Sequence, residues 1–310
     1  MTEVHIMNLS GVMNQLISLF LMMLTGYVLA RLGVITREFR QKLSSFTLNT
    51  ASPCVIVSSV LQGESVPSDM VGAVCAAVVM FVVLILLAAA IVRIVPTPKQ
   101  ERGLDQLLII FTNLGFMGIP VIQALYGVDG VPLLSMFILM FNFFFFSYGV
   151  ILLQPDAKLS FKNIINACIV ASAIALFFGL TGWHLPGVIE NTLASIGAMN
   201  TPLAMIIIGS SLAFCDLKKT LTNKRLYRVG VLRMVLTPLI VFALVKLIPM
   251  DTMLAGVCVI VAAMPIAGNC GVLSEIYMPD DLTASHAVIV TTLMSAITLP
   301  VIFAMVTYLL

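Results

Sequence analysis

TNLGFMGIPVIQALYG, residues 112–127, interrupts a long apolar run with Asn113, Gly115, Gly118 and Pro120 in close succession. Proline lacks a backbone donor and collides with the preceding turn, while glycine accepts non-helical angles, so a helix through this run is expected to break. In hydrocarbon, irregular backbone survives only where it lines a cavity or is buried in protein. A second stretch, PIAGNCGVLSEIYMPDD at residues 265–281, repeats the device with Pro265, Gly268, Asn269 and Gly271. If the two breaks meet near the midplane, two half-helix N-termini point inward, each with free N–H groups and about half a positive charge. With two Asn amides as further donors they suit an anion such as a carboxylate. The plainer alternative is two kinked helices that pack tightly through their glycines. Two breaks at matching places, each with an Asn, favour the binding site.

The rest of the chain fits that setting. Of 310 residues, 60% are hydrophobic and 10% charged, with a mean hydropathy of +1.12, against about 45–50% and 25% in soluble domains. This excludes a soluble globular enzyme, and it also excludes disorder, a coiled coil or collagen. A crossing helix needs about 20 apolar residues. Apolar runs near residues 11–31, 42–62, 70–94, 104–126 and 131–153, then 163–182, 191–214, 227–248, 252–277 and 283–309, give ten expected spans. Of 16 Lys and Arg, 14 fall in alternate connections, after spans one, three, five and seven. Basic residues collect on the cytoplasmic side, which puts both termini outside. The N-terminal run is expected to be retained as a helix. A net charge of +2 gives no reason to expect nucleic acid as a partner. The six cysteines form no CxxC pair, so no metal, disulfide framework or cofactor is expected.

An internal repeat divides the chain. TGYVLARLGVI at 25–35 resembles TGWHLPGVI at 181–189, Asn49-Thr50-Ala51-Ser52-Pro53 resembles Asn200-Thr201-Pro202, and the two interrupted stretches form a third match. All three recur in order about 150 residues apart. Residues 1–153 and 163–310 then form two five-span halves, and an odd number of spans inserts the second half upside down. The expected fold is therefore an all-α membrane protein of ten transmembrane helices, built as two inverted five-helix repeats with spans four and nine broken and crossed.

Arg233 is the one basic residue well inside an expected span. It either draws an anion toward the cavity or, only about 8 Å beyond Arg228, snorkels to the surface. Glu275 could carry a coupling proton, but near the end of its span it reads rather as a solvated interface carboxylate, and Asp105 reads the same way. Asp280, Asp281 and His286 read as a loop cap beside the helix starting at Thr283 rather than a metal trio. Trp183 and His184 suit an outer interface belt, and Asn142 needs an inward partner. No HExxH, GxSxG, Walker loop or paired intramembrane Asp motif appears, which argues against an enzyme or an ATP-driven pump.

Over essentially its whole length the chain resembles the auxin efflux carrier family, especially its short bacterial members described as malate permeases or dicarboxylate carriers. The resemblance is carried by the segment from Asn113 to Gly127 and by GVLSEIYMPDDLTASHAVIVTTLMSAITLP, which ends at Leu299 and Pro300. It implies a scaffold of spans one, two, six and seven and a mobile domain of the other six. It further implies organic-anion export or exchange by an elevator-like movement, a homodimer, and a bacterial inner membrane. Asn113 with Pro120 matches the family's first crossover. Pro265 with Asn269 matches the second less closely, because the order of Pro and Asn is reversed. The long cytoplasmic loop of the plant carriers is absent, which argues against auxin as the substrate. The expected function is secondary transport of a small carboxylate such as malate, with the lipid bilayer as surroundings. A sodium-coupled symporter of the bile acid type and a non-transporting anion receptor are the alternatives.

Overall fold

In the computed structural model, residues 9–62, 70–154, 167–214, 222–278 and 283–309 are described, and nearly all are helical. In chain order the helices are α1 (Leu9–Arg31), α2 (37–62), α3 (Met70–Ile94), α4 (Arg102–Ile110), α5 (Leu114–Tyr126), α6 (Gly130–Leu153) and α7 (Ala167–Thr181). They continue with α8 (Gly187–Ala213), α9 (Lys224–Leu247), α10 (Thr252–Ala263), α11 (Gly268–Tyr277) and α12 (Thr283–Leu309). Among the described residues α3, α6, α8, α9 and α12 are long and apolar enough to cross a membrane, and no named strand occurs. Lys158, Lys162, Lys218, Lys219, Cys215, Asp280, Asp281 and the side chain of Glu275 lie outside the described residues.

Hydropathy places the starts of α2, α8 and α9 too late, α8 by four residues at Gly187 rather than 191, because polar first turns are invisible to it. α2 begins at Arg37 rather than 42, where the Thr36 hydroxyl accepts from the Phe39 N–H at 3.2 Å and caps the helix. α9 begins at Lys224, capped by the Asn223 side chain on the Arg225 N–H at 3.0 Å. α2 and α9 therefore extend beyond the apolar layer at the end of the molecule that is rich in arginine.

Lipid tails are as apolar as leucine, so helices in a membrane associate through close packing rather than water exclusion. α1 lies directly on α8, where Gly26 faces the Ile206 backbone and Gly209 faces the Met23 backbone with no room for a Cβ at either. Gly197 of α8 also approaches the Val55 backbone of α2 too closely for a Cβ, and α2 also packs on α7. Elsewhere α3 packs on α4 and α6, and α9 on α10 and α12.

Asp105 departs from the expectation of a solvated carboxylate, since only 2% of it is exposed. Arg225 donates to its Oδ1 from Nε at 3.0 Å and Nη2 at 2.7 Å, and Arg228 donates to Oδ2 at 3.2 Å. This clamp between α4 and the start of α9 supplies the counter-charges that a buried carboxylate requires. Asn142 is buried as expected and places its amide on the Ile138 carbonyl at 2.8 Å.

Candidate functional site

The two interruptions meet. α4 stops at Ile110 and α10 at Ala263, and the extended residues that follow cross in an antiparallel bridge between Thr112 and Ile266. The Asn113 N–H donates to the Pro265 carbonyl at 2.8 Å, and the Ala267 N–H donates to the Phe111 carbonyl at 3.1 Å. The Ile266 N–H reaches the Thr291 hydroxyl of α12 at 3.2 Å. Each break thus satisfies part of the other's freed backbone, which lets irregular chain persist among fully buried residues such as Phe111, Thr112, Met264 and Ile266.

The first break is not at its proline. The chain leaves helical geometry at residues 111–113, and Gly115, Gly118 and Pro120 lie beyond it in α5. There the wide π turn Leu114–Gly118 precedes Ile119 and places Pro120 at the start of regular helix, where its missing donor costs little. In the second break Pro265 itself lies in the non-helical stretch, and Gly268 opens α11.

A cavity of about 710 Å³ lies against the crossing. Of the residues singled out from sequence, Asn113, Gly268, Asn269 and Gly271 line it. Gly115, Gly118, Pro120, Pro265 and Arg233 are not in its wall. The Asn113 Oδ1 accepts from the Phe116 N–H at 3.2 Å and so caps α5, which leaves the Nδ2 hydrogens as the donors its side chain has to offer. Gly268 and Asn269 form the first turn of α11. Both helix N-termini therefore border one space, with their N–H groups and partial positive charge. Gly271 admits α12 closely, since a Cβ there would lie 2.9 Å from the Ser285 Oγ.

Part of the wall is not among the residues singled out from sequence. Arg37, Arg40, Gln41, Ser44 and Leu48 of α2 line the cavity together with Ser211 of α8 and Ser285, His286 and Thr292 of α12. The signal was present, because residues 37, 40, 41, 44 and 48 form one helical stripe at i, i+3, i+4, i+7 and i+11. Arg37 also donates to the Phe214 carbonyl at 3.0 Å and lies over the Phe214 ring. His286, expected as a loop cap, sits in the cavity wall near the start of α12. Among the described residues no Asp or Glu lines the cavity, and no group of three His, Cys, Asp or Glu forms a metal site.

Arg233 does not snorkel. It is fully buried in the π turn Leu232–Leu236 of α9, with Nη1 on the Thr237 hydroxyl at 2.8 Å and Nη2 at 3.5 Å from the Val261 carbonyl.

The family described as membrane transport protein matches residues 11–161 and again residues 156–303. An uncharacterised transporter of Methanothermobacter thermautotrophicus is 25% identical over 304 residues, covering 94% of this chain and 97% of that protein. An uncharacterised transporter of Methanocaldococcus jannaschii is 23% identical over 301 residues, covering 91% and 95%. The chain belongs to the membrane transport protein family, that of the auxin efflux carriers, and is a multi-pass membrane protein.

Proposed function

We propose that this member of the family is a secondary carrier of small organic anions, malate or a related carboxylate being the first to test. The observation that carries the reading is the cavity itself. Two half-helix N-termini, Asn113 and Asn269 border it together with Arg37 and Arg40, and no acidic residue among the described ones lies in its wall. Such a space attracts negative charge and repels cations. The ten-span inverted repeat is part of the same proposal, since the antiparallel meeting of two interrupted segments is what inverted halves would produce.

The division into a scaffold and a moving domain draws support from packing. α1 packs on α8, α8 on α2 and α2 on α7, while the crossing packs chiefly against α6, α9 and α12; the two groups also touch, through α7 on α6 and α8 on α5. The cavity wall takes α2 and α8 from the first group and the crossing and α12 from the second. An elevator-like slide of one group past the other would therefore carry Asn113 and Asn269 away from Arg37 and Arg40. By the positive-inside rule the arginine-rich rim faces the cytoplasm, and the termini lie outside. Conversion chemistry has no place in this scheme, because moving the anion is the whole task.

The test is uptake of labelled organic acids into proteoliposomes under imposed pH and sodium gradients. Carboxylate flux that Asn113→Ala reduces, in a correctly inserted protein, is the expected result. Flux that collapses without sodium favours the bile-acid-type symporter, and binding without flux favours a receptor.

A further inference from the structure

Arg233 plays no part in the cavity wall, yet a guanidinium at zero exposure is costly to keep. Among the described residues its polar contacts are the Thr237 hydroxyl and the Val261 carbonyl, and its Nε has no partner. None of the ion pairs between described residues includes it. Thr237 donates to the Arg233 carbonyl, and its hydroxyl also lies 3.4 Å from the Ala262 carbonyl. Val261 and Ala262 belong to the last turn of α10, so side chains of α9 hold the carbonyl end of that helix at the crossing.

The crossing brings together four helix ends. The C-termini of α4 and α10 carry about half a negative charge each, and the N-termini of α5 and α11 about half a positive charge each, so the four roughly cancel. Among the described residues Arg233 leaves the crossing with about one net positive charge, which a bound carboxylate group offsets. Carbonyls at the ends of interrupted helices are also the groups that coordinate alkali cations in coupled carriers. On α10 the Arg233 guanidinium lies 3.5 Å from one of them, the Val261 carbonyl, and the Thr237 hydroxyl 3.4 Å from the next.

We propose that Arg233 is the built-in counter-charge of the anion seat, holding the carbonyl end of α10 so that a carboxylate binds at the crossing without a co-bound alkali cation. This rests on the anion reading of the cavity. Arg233 is here a positioning residue, acting through α10 and the summed charge rather than by touching the cargo.

The experiment is thermal unfolding of the purified full chain in detergent, with sodium or N-methylglucamine as the supporting cation. Malate is titrated in one series and methylguanidinium in another. Wild-type protein is expected to bind malate with the same midpoint in either cation. Arg233→Ala is expected to melt lower, to lose at least tenfold in malate affinity, and to recover part of its melting temperature with methylguanidinium. Wild-type binding that weakens tenfold without sodium overturns the proposal, as does an Arg233→Ala protein that binds malate normally or that no cation rescues. Should Arg233→Ala fail to fold, Arg233→Lys replaces it, and it must bind malate in sodium-free buffer. A wild type that no carboxylate stabilises, beside an Arg233→Ala protein that methylguanidinium rescues, sinks the anion reading and leaves Arg233 as the cation of the carbonyl end.

Discussion

The two breaks solve the same problem with different materials. Around residues 111–113 the surroundings are aromatic. Phe111 meets Phe145 edge-on at 5.0 Å and Phe141 at 5.6 Å, and Phe81 closes the cluster at 6.3 Å. Around residues 264–267 they are polar, with Thr291 on the Ile266 N–H and Arg233 and Thr237 on the last carbonyls of α10. The two breaks exchange their central hydrogen bonds, so each needs its surroundings only for what remains. The difference teaches that an interrupted helix does not itself require polar neighbours. Among the described residues a buried cation is placed at one break only, and that asymmetry asks for a functional reason rather than a structural one.

Mutations can break the comparison. Phe111→Ala opens a hole in the aromatic wall and is expected to cost about 3 kcal/mol, the low end for Phe→Ala because lipid rather than water surrounds the unfolded helices. Anion affinity should change little, since the ring is not in the cavity wall. Reversible unfolding in mixed micelles measures the first and malate titration the second. A large affinity loss with unchanged stability would contradict the division of labour between the two walls. Thr291→Val leaves the buried Ile266 N–H without its acceptor and is expected to cost about 1–3 kcal/mol in the same assay. A cost near zero would mean that the second break tolerates an unpaired amide.

Asn113 separates capping from binding. Asn113→Ala removes the cap on the Phe116 N–H, at about 1 kcal/mol, and also removes the amide donors. Asn113→Asp keeps an acceptor for the cap but puts a negative charge on the cavity wall. It is expected to retain most stability and to bind malate at least tenfold more weakly than wild type, as read by titration at pH 7. Equal malate affinity in Asn113→Asp and wild type would remove Asn113 from the site.

These contrasts also explain what was legible in the sequence. The helices were, because apolar runs bounded by charge are a direct record of solvent. The breaks were too, since Asn, Gly and Pro together have few other uses in a span. The location of the first break was not. Pro120 is absorbed by a π turn, and hydropathy carries no information about π turns, so the chain opens at residues 111–113 instead. The α2 wall was hidden differently. In the sequence Arg37 and Arg40 report only orientation, and it takes the fold to show that their stripe with Gln41 and Ser44 lines a cavity. Asp105 and Arg233 could not be resolved from sequence, because a hydropathy window estimates depth along one helix and says nothing of which helix lies alongside. Their partners are 120 and 28 residues away.

The smallest expected effect is the sharpest test of where the cargo sits. A Cβ built on Gly268 meets nothing within 4 Å, whereas one on Gly271 lies 2.9 Å from the Ser285 Oγ. Gly268→Ala should therefore leave stability within about 0.5 kcal/mol of wild type, as surface-like substitutions do. The methyl group would still project into the cavity beside the first N–H groups of α11, where a carboxylate has to approach the backbone closely. Malate affinity should fall several-fold in Gly268→Ala while the melting temperature stays put. In Gly271→Ala the order reverses, since α12 must shift before any ligand is present. If both variants lose stability and affinity in the same proportion, the effect is packing alone, and the N-terminus of α11 is not where the anion rests.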